Sequence, residues 1–164
     1  MIRTPFTTAV LFVAFASGQA LAHGETKHDA KQARAISAEE TSFGREGDPK
    51  KVSRTVRIDM SDRMRFTPAS LSIRQGDTMK FVVKNSGKVM HEMVLGSLKE
   101  LKEHAEMMKK HPGMEHDEAF MAHVAPGKTA IMVWQFSRAG EFHYGCLVPG
   151  HFEAGMVGNI VVKP

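Results

Sequence analysis

Cysteine is nearly absent from this chain of 164 residues, and Cys146 is the only one. A chain with a single cysteine forms no intramolecular disulfide, so its stability depends on a packed core. Basic residues barely outnumber acidic ones, with 22 Lys plus Arg against 18 Asp plus Glu, and they are dispersed. Because no basic cluster is interleaved with aromatic residues, nucleic acid is not an expected partner.

Catalytic motifs are also missing from the sequence. There is no Gly-x-Ser-x-Gly nucleophile turn and no glycine-rich loop for phosphate. His91-Glu92 matches the start of a zinc-protease helix motif, but the second histidine of that motif would fall on Leu95. No internal repeat is visible. These absences predict a protein that is not an enzyme.

The N-terminus carries the pattern of a secretory signal peptide. Arg3 precedes a short apolar stretch, Ala9 to Ala16, and Ala20-Leu21-Ala22 forms an A-x-A-like cleavage site. About ten apolar residues are too few for a bilayer-spanning helix, which needs about 20, so this length disfavours the alternative of a retained anchor. We therefore predict removal of residues 1–22 and a periplasmic protein without membrane attachment after cleavage.

Two regions of different composition follow the cleavage site. Residues 23–50 are rich in Lys, Glu, Ala, Ser and Gly without hydrophobic periodicity, which predicts a flexible or loosely docked N-terminal arm. Residues 51–164 contain short β-like runs separated by turn residues, which predicts an all-β sandwich in a single domain. The predicted strands cover residues 52–58, 71–73, 79–83, 89–95, 129–136, 140–146 and 155–162.

The lone cysteine opens a run of metal-binding residue types. Cys146, His151 and Met156 follow one another at intervals of five residues, just before the last apolar run. A trigonal site of two histidines and one cysteine, with a weak axial methionine, is the blue-copper arrangement. His91, in a predicted strand, is the best-placed source of the second imidazole. A bond to copper would also protect the thiol in an oxidising compartment; a buried inert thiol is the alternative.

The segment Phe142-His143-Tyr144-Gly145-Cys146-Leu147-Val148-Pro149-Gly150-His151 resembles the ligand segment of the cupredoxins, the type 1 blue or green copper proteins. Its Cys-x₄-His-x₄-Met spacing is similar to that of rusticyanin and the periplasmic copper-tolerance cupredoxins, and the resemblance covers roughly residues 52–164. It implies a Greek-key β-sandwich that binds copper, as Cu(I) or Cu(II), through His91, Cys146, His151 and Met156. The chain departs from the family at Glu92, where many members carry an asparagine that braces the ligand loop.

Strand alternation gives an independent test of this ligand set. His91 shares one strand face with Met93 and Leu95, so it can lie at the edge of the core. Cys146 and Tyr144 share a face in their own strand, whereas His143 takes the opposite face. This parity argues against His143, which is the alternative copper ligand. The family resemblance further implies that the edge of His151 lies near the surface and serves as the electron port.

An insertion at residues 97–123 has the most unusual composition in the chain. Ser97-Leu98-Lys99-Glu100 matches a capping box, and Pro112-Gly113 would end the helix that it opens, around residues 97–111. Between His104 and His123 there are four histidines and four methionines. The candidate secondary copper ligands here are His104, Met107, Met108, His111, Met114, His116, Met121 and His123. The alternative is a core helix with methionine filler and solvated histidines.

The predicted mature N-terminus offers another copper-binding group. Cleavage after Ala22 would give His23 both a free amine and an imidazole, a bidentate chelate for Cu(II), with His28 nearby. Together these features predict a monomeric periplasmic cupredoxin that binds copper ions, contributes to copper tolerance and exchanges single electrons with a redox partner protein. The alternatives are a soluble electron carrier between respiratory complexes and a copper chaperone or reservoir.

Overall fold

The computed structural model describes residues 35–112, 114 and 116–164. Within these residues the chain forms short strands and one α-helix, named here in chain order. The strands are β1 (Glu40–Thr41), β2 (Gly44–Glu46), β3 (Arg54–Ser61), β4 (Arg65–Thr67), β5 (Ser70–Arg74), β6 (Thr78–Asn85), β7 (His91–Gly96), β8 (Met121–Val124), β9 (Thr129–Gln135), β10 (Gly140–Gly145) and β11 (Val157–Lys163). The helix, α1, is Leu98–Lys110, and a 3-10 turn covers Pro49–Lys51.

Two sheets make up the sandwich. The first has the strand order β1-β2-β9-β6-β3-β4, and the second has the order β5-β11-β10-β7-β8. β3 pairs with β6 and β5 pairs with β11 in parallel, while the other pairs are antiparallel. Each of the seven predicted strands is present, and the predicted all-β sandwich with one inserted helix is confirmed.

The main core lies between the two sheets. Alternate residues of β5 and β11 are buried, as expected for strands with one face in the core. Large side chains with almost no exposed surface fill the interior, among them Met60, Phe81, Trp134, Tyr144 and Ile160. This packed core supports β7 and β10, which lie side by side within the second sheet.

Strand β7 is buried on both faces, unlike a strand with one solvated side. Met93 and Leu95 face the main core. Val94 faces the other way and packs with Leu101, Ala105 and Leu147, because α1 covers the outer face of the second sheet. The inserted helix therefore shields the outer side of the strand that begins at His91.

The helix begins and ends close to the predicted residues. Ser97 is its N-cap, and its side chain and the Glu100 carboxylate accept each other's backbone N–H groups in the predicted capping box. His111 is the C-cap, one residue before Pro112. Leu98, in the first turn, is exposed and lies outside the cluster through which α1 packs on β7.

The sandwich extends further towards the N-terminus than its sequence pattern indicates. Residues 40–46 lie within the region predicted as an arm, yet β2 pairs with β9 at the edge of the first sheet. Phe43, between β1 and β2, is buried against Trp134, and the Trp134 indole donates to the Phe43 carbonyl oxygen at 3.1 Å. Phe43 is the only aromatic residue among residues 40–46, so the segment has no alternating apolar pattern from which its strands could be predicted.

The predicted signal peptide, residues 1–22, and the beginning of the predicted arm lie outside the described residues. In the part of the chain that is described, the helices fall short of the length and apolarity that crossing a bilayer demands.

Candidate metal centre

Three side chains that are distant in sequence converge at one end of the sandwich. His91, Cys146 and His151 each offer a ligand atom, and these atoms all lie within 4.8 Å of one another. The Cys146 Sγ is 3.9 Å from the His91 Nδ1 and 3.3 Å from the His151 Nδ1. His91 and Cys146 have no exposed surface, whereas His151 is partly exposed.

The loop between β10 and β11 supplies two of these groups and is held by its own backbone. The Cys146 N–H donates to the Met156 carbonyl oxygen at 3.1 Å, and the Met156 N–H donates to the His151 carbonyl oxygen at 3.0 Å. Gly150 and Gly155 have positive φ angles of 89° and 86°, which only glycine adopts at low cost. The five-residue spacing thus corresponds to a compact loop that returns Met156 to Cys146.

A residue of the first sheet ties the end of this loop to the sandwich. The Arg65 Nη1 donates to the Ala154 carbonyl oxygen at 2.9 Å and to the Met64 carbonyl oxygen at 2.7 Å. A Cβ atom at position 155 would lie 3.3 Å from the same guanidinium nitrogen, so Gly155 also leaves room for the contact. Arg65 therefore limits the movement of the segment that carries Met156.

The approach to His91 is fixed by Asn85 at the end of β6. Its buried Nδ2 donates to the carbonyl oxygens of Val89 and Val124, both at 2.8 Å, and its Oδ1 accepts the Gly87 N–H at 2.8 Å. Each hydrogen-bonding group of the amide is engaged, which orders the turn from β6 into β7. The imidazole of His91 thereby enters the core at a defined position.

Asp62 orients the His91 ring from the side opposite the thiol. Its Oδ1 lies 3.2 Å from the His91 Nε2, and its carboxylate accepts the Lys88 N–H at 2.8 Å. The Lys88 backbone N–H is the main cause that holds the pKa of Asp62 below its usual value. An Nε2–H donated to this carboxylate leaves the Nδ1 lone pair of His91 facing Sγ, which is the tautomer that a metal ligand needs.

The Asp62 contact also explains a glycine in the preceding turn. A Cβ atom at Gly87 would overlap the Asp62 carboxylate. The sequence pattern did not point to Asp62, which lies 29 residues before His91 in the turn between β3 and β4. β3 pairs with β6 in parallel, so acidic residues near the end of β3 are candidates to lie near His91. Asp62 is one of these residues, but nothing in the sequence distinguishes it from the others.

Glu92 occupies the position at which the chain departs from many cupredoxins. Its N–H points at the Cys146 Sγ at 3.4 Å, and its Oε1 accepts the Leu147 N–H at 2.8 Å. Its Oε2 lies 2.9 Å from the His123 Nδ1. Burial raises the pKa of Glu92, while His123 opposes that shift. The carboxylate therefore braces the ligand loop, the role that an asparagine has in those relatives.

Burial controls the protonation of the metal-free donors. It raises the pKa of the Cys146 thiol to about 12, and it lowers the pKa of His151 from its usual value. At neutral pH the metal-free site thus holds a neutral thiol and a neutral His151 ring. A cation must displace the thiol proton to bind, which favours ions that form strong bonds to sulfur.

The donor set fits copper. First-row metal ions bond to nitrogen and sulfur at about 2.0–2.3 Å. Such an ion fits among these donors, because the Cys146 Sγ lies 3.3 Å from the His151 Nδ1 and 3.9 Å from the His91 Nδ1. Two imidazoles, one thiolate and an adjacent thioether are the donors of type 1 copper. Met156 has no exposed surface and packs in the same core cluster as Cys146, which makes it available as the fourth, axial group.

His143, the alternative ligand, lies outside this group. It is paired in register with Gly96 and Asn159 in the second sheet, and its strand neighbours Phe142 and Tyr144 face the main core. Burial lowers the pKa of His143, and its Nδ1 has no hydrogen-bond partner among the described residues. The parity argument from the sequence agrees with this placement.

The secondary candidates are divided by the structure. His116 and His123 lie close enough to His104 to influence it electrostatically. Met108 of α1 and Met121 of β8 pack against the apolar cluster between the helix and the second sheet. Met107, His111 and Met114 are exposed, so the eight candidates do not form one site. His23 and His28 lie outside the described residues.

Comparison with known proteins identifies the class to which this fold and site belong. Residues 52–163 match the family model described as copper binding proteins of the plastocyanin/azurin family. The chain belongs to this family, and it is a copper-binding cupredoxin. The resemblance inferred from the ligand segment is confirmed, as is copper as the cofactor.

Individual relatives agree with this assignment. The chain is 50% identical over 124 residues to the copper-resistant cuproprotein CopI of Rubrivivax gelatinosus, which covers 76% of this chain and 75% of the relative. It is 32% identical over 161 residues to CopI of Vibrio cholerae, which covers 98% of this chain and 95% of that protein. Among solved structures, the reduced auracyanin of the photosynthetic bacterium Roseiflexus castenholzii superposes with a TM-score of 0.60 at 18% identity, covering 69% of this chain and 99% of the auracyanin. That likeness shows the fold alone.

Proposed function

We propose that this protein is a periplasmic copper-tolerance cupredoxin that holds one type 1 copper through His91, Cys146, His151 and Met156. The observation that supports it most directly is the convergence of two imidazoles on one buried thiol, with Met156 hydrogen-bonded through its backbone to both Cys146 and His151. Bound copper would supply a one-electron couple between Cu(I) and Cu(II).

The chain's own residues provide a rigid and dry environment for that couple. Asp62 and Asn85 fix the His91 side of the site, and Glu92 and Arg65 fix the loop. Full burial of the sulfur excludes water, which helps to set the reduction potential. Because the donors are held in place before and after electron transfer, little reorganisation is needed.

His151 is the residue that would admit electrons. It is the one member of the converging group with exposed surface, so its edge offers a short route between the centre and a redox partner protein. The same exposure supports the alternative function of a soluble electron carrier. Copper tolerance is favoured because the curated relatives carry the name copper-resistant cuproprotein, and because the insertion adds histidine and methionine beyond what one type 1 site requires.

Copper titration with absorption spectroscopy tests the assigned centre. Metal-free full-length protein should bind one equivalent of Cu(II) with an intense thiolate-to-copper absorption band. Weak copper absorption with no thiolate band would contradict the proposal.

Mass spectrometry of protein exported by a bacterial host should find a chain that begins at His23; an uncleaved N-terminus would contradict export by signal-peptide removal.

A growth experiment separates copper tolerance from electron transport. A strain that lacks the gene should grow normally without added copper and poorly when copper is raised, and the wild-type gene should restore growth. The Cys146→Ala gene should not restore it. A respiratory defect without added copper would instead favour the electron carrier.

A further inference from the structure

Besides the Nδ1 of His143, two histidine nitrogens outside the type 1 centre are buried without a partner in the described part of the chain, and they belong to neighbouring rings. The His104 Nε2 and the His116 Nδ1 are shielded from solvent and have no hydrogen-bond partner among the described residues. The two rings lie side by side, with centroids 4.8 Å apart and planes inclined by 35°. A buried polar atom that lacks a partner costs about 1–3 kcal/mol, so a neighbouring pair of them requires an explanation.

The insertion folds back on itself to bring these rings together. His104 lies on α1, and His116 lies in the segment between α1 and β8. That segment is anchored by His123, whose Nε2 lies 3.1 Å from the His116 carbonyl oxygen and whose Nδ1 is bound to Glu92. Glu92 is a residue of β7, so these two contacts of His123 link the backbone of His116 to the second sheet.

Two methionines lie on α1 and β8, the elements that carry or follow this pair of histidines. Met108 lies one helical turn after His104, on the same side of α1. Met121 shares a face of β8 with His123, opposite Val94 and Glu92 of β7. Both methionines are partly buried against the cluster of Val94, Leu101, Ala105 and Leu147. The two methionines therefore belong to the elements that carry or adjoin the two histidines, α1 and β8.

We propose that this pocket is a second metal site that binds Cu(I), with the His104 Nε2 and the His116 Nδ1 as ligands and a thioether from the pair Met108 and Met121. Neutral imidazoles and thioethers are donors that Cu(I) favours. An ion between the two orphaned nitrogens would satisfy both of them. The site would store or pass on copper without the strong colour of the type 1 centre, because it has no thiolate.

The protonation of His104 is compatible with a metal ligand. Burial, followed by His116 and His123, lowers the pKa of His104, so its ring is neutral and its lone pair is available at neutral pH. His123 is engaged with the Glu92 carboxylate at 2.9 Å, which leaves it as a positioning residue rather than a ligand.

The first test measures a second equivalent of Cu(I) in the full-length copper-loaded protein. The type 1 centre is filled and reduced, and Cu(I) is then added in competition with a colorimetric Cu(I) chelator. The double variant His104→Ala/His116→Ala should bind the added equivalent at least about tenfold more weakly, since loss of a supporting residue alone costs 10–100-fold. His111→Ala, an exposed histidine at the end of the same helix, is the matched control and should match the wild type.

Affinity of the double variant within twofold of the wild type would overturn the proposal. The same titration in Cys146→Ala protein separates this site from the first, because the equivalent that depends on His104 and His116 should remain there. Its disappearance in that variant would show that the added copper had been bound at the type 1 centre.

A second measurement needs no variant and reports on the nitrogens themselves. In proton–nitrogen NMR of the reduced protein, added Cu(I) should shift the imidazole ¹⁵N resonances of His104 and His116 and leave those of His111 unchanged. Unchanged His104 and His116 resonances would refute the site even if the double variant failed to fold. Zn(II) should displace Cu(I) poorly, and equal competition by Zn(II) would contradict a thioether ligand.

Discussion

The copper centre and the insertion at residues 97–123 contain the same types of donor but hold them differently. In the centre, His91 is oriented by Asp62, and the ligand loop is braced by Glu92 and Arg65. In the insertion, three of the eight candidate donors, Met107, His111 and Met114, are exposed and are not held in a fixed geometry. The number of histidines and methionines therefore predicts a metal site less well than the groups behind them.

Glu92 connects the two regions. Its Oε1 receives the Leu147 N–H of the ligand loop, and its Oε2 contacts His123 in the insertion. Because one buried carboxylate serves both sides, the position that departs from the family pattern is also the place where the insertion meets the copper centre. The variants below test how separate the two regions are.

Removal of the thiol should have the largest effect. Cys146→Ala should abolish the intense thiolate-to-copper absorption, because no other thiol exists in the chain. His143→Ala is the control, since His143 belongs to β10, which ends just before Cys146, but lies outside the converging group. Absorption spectra of the copper-loaded proteins measure this directly. Colour that survives in Cys146→Ala would remove Cys146 from the centre.

Loss of the carboxylate behind His91 should weaken copper binding without abolishing colour. Asp62→Ala frees the His91 ring and removes its preferred tautomer, so we expect a 10–100-fold lower affinity for copper, about the usual cost of losing such a partner. Asp117→Ala, an aspartate in the insertion whose side chain is 98% exposed, is the control. Competition titrations monitored at the thiolate band compare the two; equal affinities would show that His91 needs no support from Asp62.

The stability of the metal-free protein should fall at high pH because of Cys146. Its thiol has a usual pKa of 9.0 and a folded pKa of about 12, so the folded state favours the neutral thiol. The raised pKa gives stability that is complete below pH 9 and is lost as the pH rises towards 12. Relative to Cys146→Ala, the wild type should lose about 1.4 kcal/mol of unfolding free energy per pH unit above 9.

Chemical denaturation of both metal-free proteins between pH 8 and pH 10.5, the range below the folded thiol pKa of about 12, measures this difference. Other titrating groups cancel because they are common to the two proteins. Parallel pH profiles would mean that the thiol is not desolvated as the structure indicates.

The smallest effect on copper binding is expected at the axial position. Met156→Leu should retain copper and colour and raise the reduction potential, because the axial thioether is a weak ligand that tunes the site. Met107→Leu, at an exposed methionine of α1, should leave the potential unchanged. Redox titration of the two variants provides the measurement. Complete loss of metal from Met156→Leu would show that the thioether holds the ion rather than tuning it.

Some of this protein could be predicted because the decisive interactions are local. The five-residue spacing of Cys146, His151 and Met156 fits a compact loop whose own backbone hydrogen bonds close it. The capping box at Ser97 likewise depends on residues three positions apart. Strand alternation argued against His143 for the same reason, since the direction of successive side chains is a property of the strand itself.

Other features depend on contacts that no local pattern encodes. The edge strands at residues 40–46 rest on the pairing of Phe43 with Trp134, which is 91 positions away. Asp62 lies in the turn after β3, and His91 is the first residue of β7. The two meet because β3 pairs with β6 in the first sheet, and the chain passes from the end of β6 into β7 of the second sheet. Glu92 could be identified as unusual from the sequence, but its partners Leu147 and His123 could not.

The amino-acid sequence by itself determined the β-sandwich, the helix of the insertion and three of the copper-binding residue types, because these follow from spacing, alternation and capping within short segments. The tertiary structure alone decided how His91 meets the thiol, which carboxylates hold the site, and which two of the many histidines in the insertion lie together. Those outcomes depend on the register of strands far apart in the chain, where packing of the whole core, rather than any single segment, selects the neighbours.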